Sequence, residues 1–367
     1  MMTKYLNSSI VLLTTLIASA SLPANAQDKP ILEKVFEDPT YQLTGVAATA
    51  GGRVFVNYPY WLDKHKYSVV EVGKDGKGIP YPDAGWNSFK KGDDGKNKFV
   101  CVQAVVADDK NYLWIVDPAG IGLSEVYQES NKVVKINLKN NKVERIYRFP
   151  ATVAGKQSYI NDIRIDNKNG FAYMTSSSNG GIVVLNIRTG DSRFVLAGHP
   201  STLSDNSYKF SIKGNSLVKG DGSTAKINSD GIALSPDGTY LYYKPLTDNR
   251  LYRIATGVLM DFKTTEQQVA DKVEDVGRFV TTDGMEFDQD GNLYLGDLEN
   301  SRIVKISPDL KQQIIAEDEQ KLIWPDSYSI ANGYLYISSS QIQYMPWFNA
   351  GENKTAYPYS VFRLKIK

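Results

Sequence analysis

One cysteine, Cys101, and two histidines, His65 and His199, are all that the 367 residues hold of either type. A single thiol excludes an internal disulfide, so stability has to come from burial and strand pairing. Two imidazoles far apart in the chain exclude a histidine-rich metal site and leave a Ser-His-acid triad little to work with. Cys101 lies in the apolar run FVCVQAVVAD, the setting of a buried strand residue rather than of a nucleophile. An excess of one charge is missing too. With 42 basic and 41 acidic groups the formal net charge is +1. That balance gives no electrostatic case for nucleic acid or an anionic membrane surface as partner. No low-complexity tract or block of like charge marks a disordered tail.

Long apolar runs are absent except at the N-terminus. There IVLLTTLIASASL, residues 10–22, follows a stretch whose single charge is Lys4, and Ala24 and Ala26 form a small-x-small pattern before Gln27. The run is too short to span roughly 30 Å of hydrocarbon. It reads as a secretory signal peptide, residues 1–26, cleaved after Ala26. Residues 27–367 are then expected to form a single exported domain, periplasmic or extracellular, with no membrane association after cleavage.

What is present in quantity is tyrosine, 23 residues, and glycine, 29. That mixture suits strands and tight turns more than helices. One phrase recurs. TTDGMEFDQDGNLYLGD (281–297) echoes NSDGIALSPDGTYLYYK (228–244), and related segments start at Thr44, Gln103, Asn161 and Asp326. Counting those from Asp230 and Asp283, the six copies stand 43 to 69 residues apart. Each has a short alternating strand, a Gly/Asp/Asn turn that tolerates positive φ, and an apolar, aromatic second strand. Third strands follow at KVVKINL, GIVVLNI, RLYRI, RIVKIS and SVFRLKI, and fourth strands at KVERIYRFP and SRFVLAG. Three or four antiparallel strands repeated six times predict an all-β, six-bladed β-propeller. The strand ILEKVFE (31–37) would pair into the last blade and close the ring without a free edge. A β-sandwich pair does not predict one turn chemistry recurring in register.

In a propeller the first strand of each blade lines the channel, and the residue before it stands at one mouth. Those positions are Thr44, Gln103, Asn161, Asp230, Asp283 and Asp326. The second strands return to the same face near Tyr58, Asp117, Ser176, Lys244 or Pro245, Asp297 and Ser339. Two polar rings are therefore expected around one opening. Carboxylates and amides converging there repel unless a charge offsets them. Ca²⁺ does so with oxygen ligands, here Asn161, Asp230 and Asp283, and Lys244 is a second source of positive charge. Asp237 and Asp290, in the turns, read as acceptors of backbone N–H groups. Trp61, Trp86, Trp324 and Trp347 lie in loops and can wall a pocket for a flat or cationic small molecule.

The segments GRVFVNYPYW, FVCVQAVVADDKNYLWIVDPAG, SYINDIRIDNKNGFAYMTSSSNGGIVVLNI, TDGMEFDQDGNLYLGDLENSRIVKI and WPDSYSIANGYLYISSSQIQYMPWFN carry a resemblance. The chain resembles the major royal jelly protein and yellow family, six-bladed propellers that include dopachrome-converting and amine-binding proteins. The resemblance implies export and a small aromatic or amine-bearing ligand at the channel mouth. It also implies a dopachrome-type tautomerisation, with Asp230 or Asp283 as base. Asn161, Asp326, Gln103, Lys244, Asp297, Trp61 and Trp324 would surround the ligand.

More distantly the chain is similar to the calcium-dependent gluconolactonase-like propellers, which would make it a lactone hydrolase with Ca²⁺ held by Asn161, Asp230, Asp283 and Asp326. That pattern has a Glu in the first blade, where Thr44 stands here, and an Asn where Asp230 stands. A non-catalytic exported scaffold is the third expectation, since propellers host all three roles.

Overall fold

A computed structural model describes Met1 and residues 31–367. The expected signal peptide and its cleavage point lie outside the described residues. Six four-stranded antiparallel sheets form the blades of a propeller, with a separate two-stranded hairpin at Ser211–Ile212 and Asn215–Ser216. The innermost strands of blades 1 to 6 are Val46–Ala48, Ala104–Ala107, Ile160–Asp166, Ser229–Leu234, Met285–Phe287 and Pro325–Ala331. Each is followed by its second strand across a tight turn. In two of those turns Gly238 and Gly291 take φ of 76° and 82°, the left-handed backbone that the Asp-Gly pairs prepare for. Asp237 accepts from the Ser235 hydroxyl at 2.6 Å and from the Thr239 backbone N–H at 3.0 Å, and these bonds hold its carboxyl down at about 2.

The outermost strand of blade 6 comes from the other end of the chain. Leu32–Asp38 pairs antiparallel with Tyr359–Lys365, from Leu32 opposite Leu364 to Asp38 opposite Tyr359. Apolar residues on facing sheets fill each gap between blades. Val105, Leu113 and Ile115 of blade 2 meet Ala47, Phe55 and Val69 of blade 1. Tyr359 and Val361 of blade 6 meet Val46, Val56 and Val70 of blade 1, completing the circle. Burying each such side chain stabilises the fold by roughly 1.5–3 kcal/mol. Among the described residues, no helix is long and apolar enough to cross a membrane.

Two backbone features position the channel mouth. In blades 3, 4 and 6 the innermost strand carries one extra residue, with the register slipping between Ile160 and Ile163, Ser229 and Ile232, and Pro325 and Tyr328. Such bulges re-aim side chains, and here they contain Asn161, Asp230 and Asp326. The second feature is glycine. A Cβ on Gly231 would stand 2.5 Å from the Asp283 carbonyl oxygen, and one on Gly284 would stand 2.5 Å from that of Asp326. Gly284 N–H donates to that Asp326 carbonyl at 2.7 Å. Glycine after each aspartate lets neighbouring blades touch backbone to backbone, which draws their carboxyls together.

Candidate functional site

A cavity of about 670 Å³ opens at this mouth. Its floor holds Gln103, Asn161, Asp230 and Asp283, one from each of blades 2 to 5, together with Tyr159 and Trp324. Its walls are mostly apolar, led by Trp61, Trp347 and Phe348, with Lys219, Asp221 and Lys226 on the side formed by the segment between blades 3 and 4. The rings of Trp61 and Trp347 stand 5.7 Å apart, tilted by 54°. The segment between blades 3 and 4 covers one side. There Phe210, Leu217 and Ala225 pack with Leu246, Trp324 and Met345 as a small separate core.

At the floor, the Asp230 and Asp283 side chains are hydrogen-bond neighbours. Their other contacts tie one oxygen of each. Asp230 Oδ2 accepts from Asn161 Nδ2 at 2.7 Å and from Ser177 Oγ at 3.2 Å. Asp283 Oδ2 accepts from Trp324 Nε1 at 2.7 Å. Burial is the largest influence on both acids and disfavours their charged forms. It pushes Asp283 up to about 6, against the pull of the Trp324 and Asp230 hydrogen bonds and of the Lys244 charge. Asp230 is pushed well above the carboxylate range by burial and then by the neighbouring charges of Asp283 and Asp326. Two buried carboxyls this close hold one proton between them. Asp283, with the indole donor, is the member that ionises first.

Of the expected first ring, Gln103, Asn161, Asp230 and Asp283 line the cavity. Thr44 and Asp326 do not. The Thr44 hydroxyl accepts from Asn57 Nδ2 and donates to the Gln103 carbonyl. Asp326 is buried beside the floor, pushed up by its burial and then by Asp283.

The expected second ring forms no wall, because its side chains turn inward to complete blade ends. Asp117 accepts from the backbone N–H groups of Val100, Cys101 and Ala119 and pairs with Lys132 at 2.8 Å, both side chains fully buried. Asp297 accepts from Asn300 Nδ2. Lys244 Nζ donates to the carbonyls of Pro245 and Asp248 at 2.9 and 2.7 Å. Burial lowers Lys244 to about 8, and its charge acts on the acid pair from behind rather than in the cavity.

Of the tryptophans, Trp61 and Trp347 are wall, Trp324 is floor, and Trp86 packs on Phe99 away from the site. Tyr159 and Ser177 also line the cavity, and the repeat register misses both. Tyr159 stands two residues before Asn161, just ahead of the strand Ile160–Asp166, where the strand period does not reach.

The donor set fits a shared proton better than a calcium ion. Ca²⁺ takes about six to eight oxygens. Here Asn161 turns its amide nitrogen to Asp230, and the hydroxyl standing in the place of a glutamate is tied off between Asn57 of its own blade and the Gln103 carbonyl of blade 2. Among the described residues no group of three or more acidic, histidine or cysteine side chains has the spacing to hold a metal. No step is therefore assigned to calcium.

A family model described as major royal jelly protein matches residues 100–364. Protein yellow of Drosophila melanogaster is 27% identical over 247 residues, covering 61% of this chain and 43% of that protein. Major royal jelly protein 3 of Apis mellifera is 26% identical over 300 residues, covering 72% and 52%. The chain thus spans about half, or less, of the length of these relatives. A streptogramin B lyase shares the fold with a TM-score of 0.53 at 12% identity, covering 94% of this chain and 100% of that one. A gluconolactonase of Xanthomonas campestris does so with 0.55 at 10% identity, covering 92% and 89%. Identities that low speak for architecture alone.

Proposed function

The chain belongs to the major royal jelly protein family, and from that premise we propose that its channel mouth binds a small aromatic molecule and moves a proton on it. The observation that carries the reading is the Asp230–Asp283 pair on the floor of a tryptophan-walled cavity. A tautomerisation removes a proton at one atom and returns one at another. Asp283, held as the carboxylate by the Trp324 indole, takes the first proton. Asp230, held protonated by its burial and by its neighbour's charge, delivers the second. A proton passing between the two adjacent carboxyls then restores the starting state, so the cycle balances without a co-reactant. Positioned acid–base chemistry of this kind is worth about 10²–10⁴ in rate, most when the working group titrates near ambient pH. The tryptophan walls offer ring faces to a flat substrate.

A second reading has its own support. An acid pair carrying one negative charge beneath two tryptophan faces also suits an organic ammonium ion, bound without chemistry. Export belongs to both readings and is supported by the apolar segment 10–22. N-terminal sequencing of protein recovered outside the cytoplasm tests it.

The deciding experiment is a thermal-shift panel of catechols, indoles, amines and lactones, with and without calcium, followed by product analysis on whatever binds. Binding with proton exchange from solvent deuterium supports the tautomerase reading. Binding of amines without exchange supports capture, and a calcium-dependent shift with lactones overturns both. Asp283→Asn, similar in shape, is expected to abolish exchange.

A further inference from the structure

The floor carries a second hydrogen-bonded chain whose direction can be worked out. Trp61 Nε1 lies 2.9 Å from the Tyr159 hydroxyl, and that hydroxyl lies 2.8 Å from Gln103 Oε1. An indole N–H can only donate. The Tyr159 oxygen therefore accepts from Trp61, and its own hydrogen goes to Gln103. The Gln103 oxygen is thereby taken up as an acceptor, which orients the amide and leaves its NH₂ as the group to be satisfied.

Gln103 is 6% exposed and lines the cavity. Among the described residues Nε2 has no partner within the protein, and it is not among the side-chain atoms sealed from solvent. It is a buried amide aimed into the cavity with a free donor. Gly120 makes room for the relay, because a Cβ there would stand 3.0 Å from the Tyr159 ring.

We propose that Gln103 is the specificity residue of this site, seating a carbonyl oxygen of the ligand against its Nε2, with Tyr159 and Trp61 as the positioning residues that fix its direction. The ligand class is a planar carbonyl compound. Gln103 comes from blade 2 and the acid pair from blades 4 and 5, with Asn161 of blade 3 between them. A carbonyl seated on Gln103 is thus held across the cavity floor from the carboxyls. The assignment rests on the proton-transfer reading in one respect only. When Asp283 removes a proton next to that carbonyl, negative charge develops on its oxygen, where a fixed N–H is worth more than in the ground state.

The test compares isatin, which carries carbonyls on a flat bicycle, with indole, which has the same bicycle and none. Titration calorimetry is run on the full chain, with circular dichroism to verify folding. Wild type is expected to hold isatin roughly tenfold tighter than indole, the worth of one good hydrogen bond. Gln103→Glu keeps an acceptor for Tyr159 but offers no donor, and is expected to erase the preference while holding indole unchanged. Tyr159→Phe keeps the donor but frees its direction, and is expected to cut the preference severalfold.

A preference that survives in Gln103→Glu overturns the assignment. So does an equal loss for both probes, or a wild type that binds neither. Proton exchange separates this from the reaction itself. A wild type that shows the preference and its loss in Gln103→Glu, yet exchanges no proton, retains the carbonyl seat and sinks the tautomerase reading.

Discussion

The Trp324 indole N–H donates to Asp283 Oδ2 at 2.7 Å, joining the entry to blade 6 to the entry to blade 5 across the cavity floor. Trp324 takes a left-handed backbone, φ 56°, and is almost fully buried with its edge toward Phe210 at a centroid distance of 6.0 Å. A bulky residue in that region costs on the order of 1–3 kcal/mol and persists where its surroundings over-determine it. Here they do so at an acid. Trp324→Phe retains most of the packing and removes the donor. The expected result is a pH profile for ligand exchange whose Asp283 limb moves upward from about 6, measured against wild type under the same conditions.

Stability carries the same signature. The folded Asp283 lies above its ordinary 3.8, at about 6, so the folded state holds its proton more tightly than the unfolded state does. That contribution is fully present below pH 3.8 and is lost as pH rises through about 6. Wild type is expected to lose on the order of 3 kcal/mol relative to Asp283→Asn across that window. Melting midpoints of the two proteins over a pH series measure the difference, and parallel curves would contradict it.

Gly284→Ala is expected to destabilise the protein by about 1–3 kcal/mol, because the added methyl meets the Asp326 carbonyl and nothing flexible can yield. Ligand binding should suffer beyond the stability loss, since the same contact holds Asp283 against blade 6, whose Trp324 donates to it. Gly257→Ala is the control. Its methyl meets nothing within 4 Å, and it lies in the short helix Thr256–Met260. Urea denaturation of both variants reads the contrast.

Lys132→Met is expected to cost about 3–5 kcal/mol in the same assay, because it strands the buried Asp117 carboxylate without its cation. Replacing Asp117 and Lys132 together should cost less than the sum of the single changes.

Chelation makes the last prediction. With Asn161 turning its amide nitrogen to Asp230 and the Trp324 indole donating to Asp283, EDTA is expected to leave the melting midpoint unchanged. A drop restored by calcium would return the site to a metal-centred reading.

How much of this was legible in the residues follows from what repeats and what does not. The Asp-Gly phrase recurs because each blade repeats one strand–turn–strand unit, so register alone located Asn161, Asp230 and Asp283. The same register was misleading for Asp117, Lys244 and Asp297. Their spacing is identical in kind, but each finds a partner inside its own blade or at its end, and spacing does not reveal partners. Trp324 was legible as an aromatic near the mouth, though not as a donor beneath it. Phe210 and Leu217 belong to a segment that is not part of the repeat, and its place over the mouth is fixed by packing contacts distant in sequence. The glycine after each aspartate looked like turn chemistry. Its function is clearance between blades, a property of the assembled ring.

The pairing of Leu32–Asp38 with Tyr359–Lys365 has a kinetic consequence. During synthesis the strand Leu32–Asp38 has its edge bare until Tyr359–Lys365, six blades later, has emerged. A pairing so distant in sequence is expected to form late and to slow refolding. A nick or deletion anywhere in Tyr359–Lys365 would release two neighbours together, leaving the first strand unmoored and Tyr334–Ser339 open to pairing with another molecule.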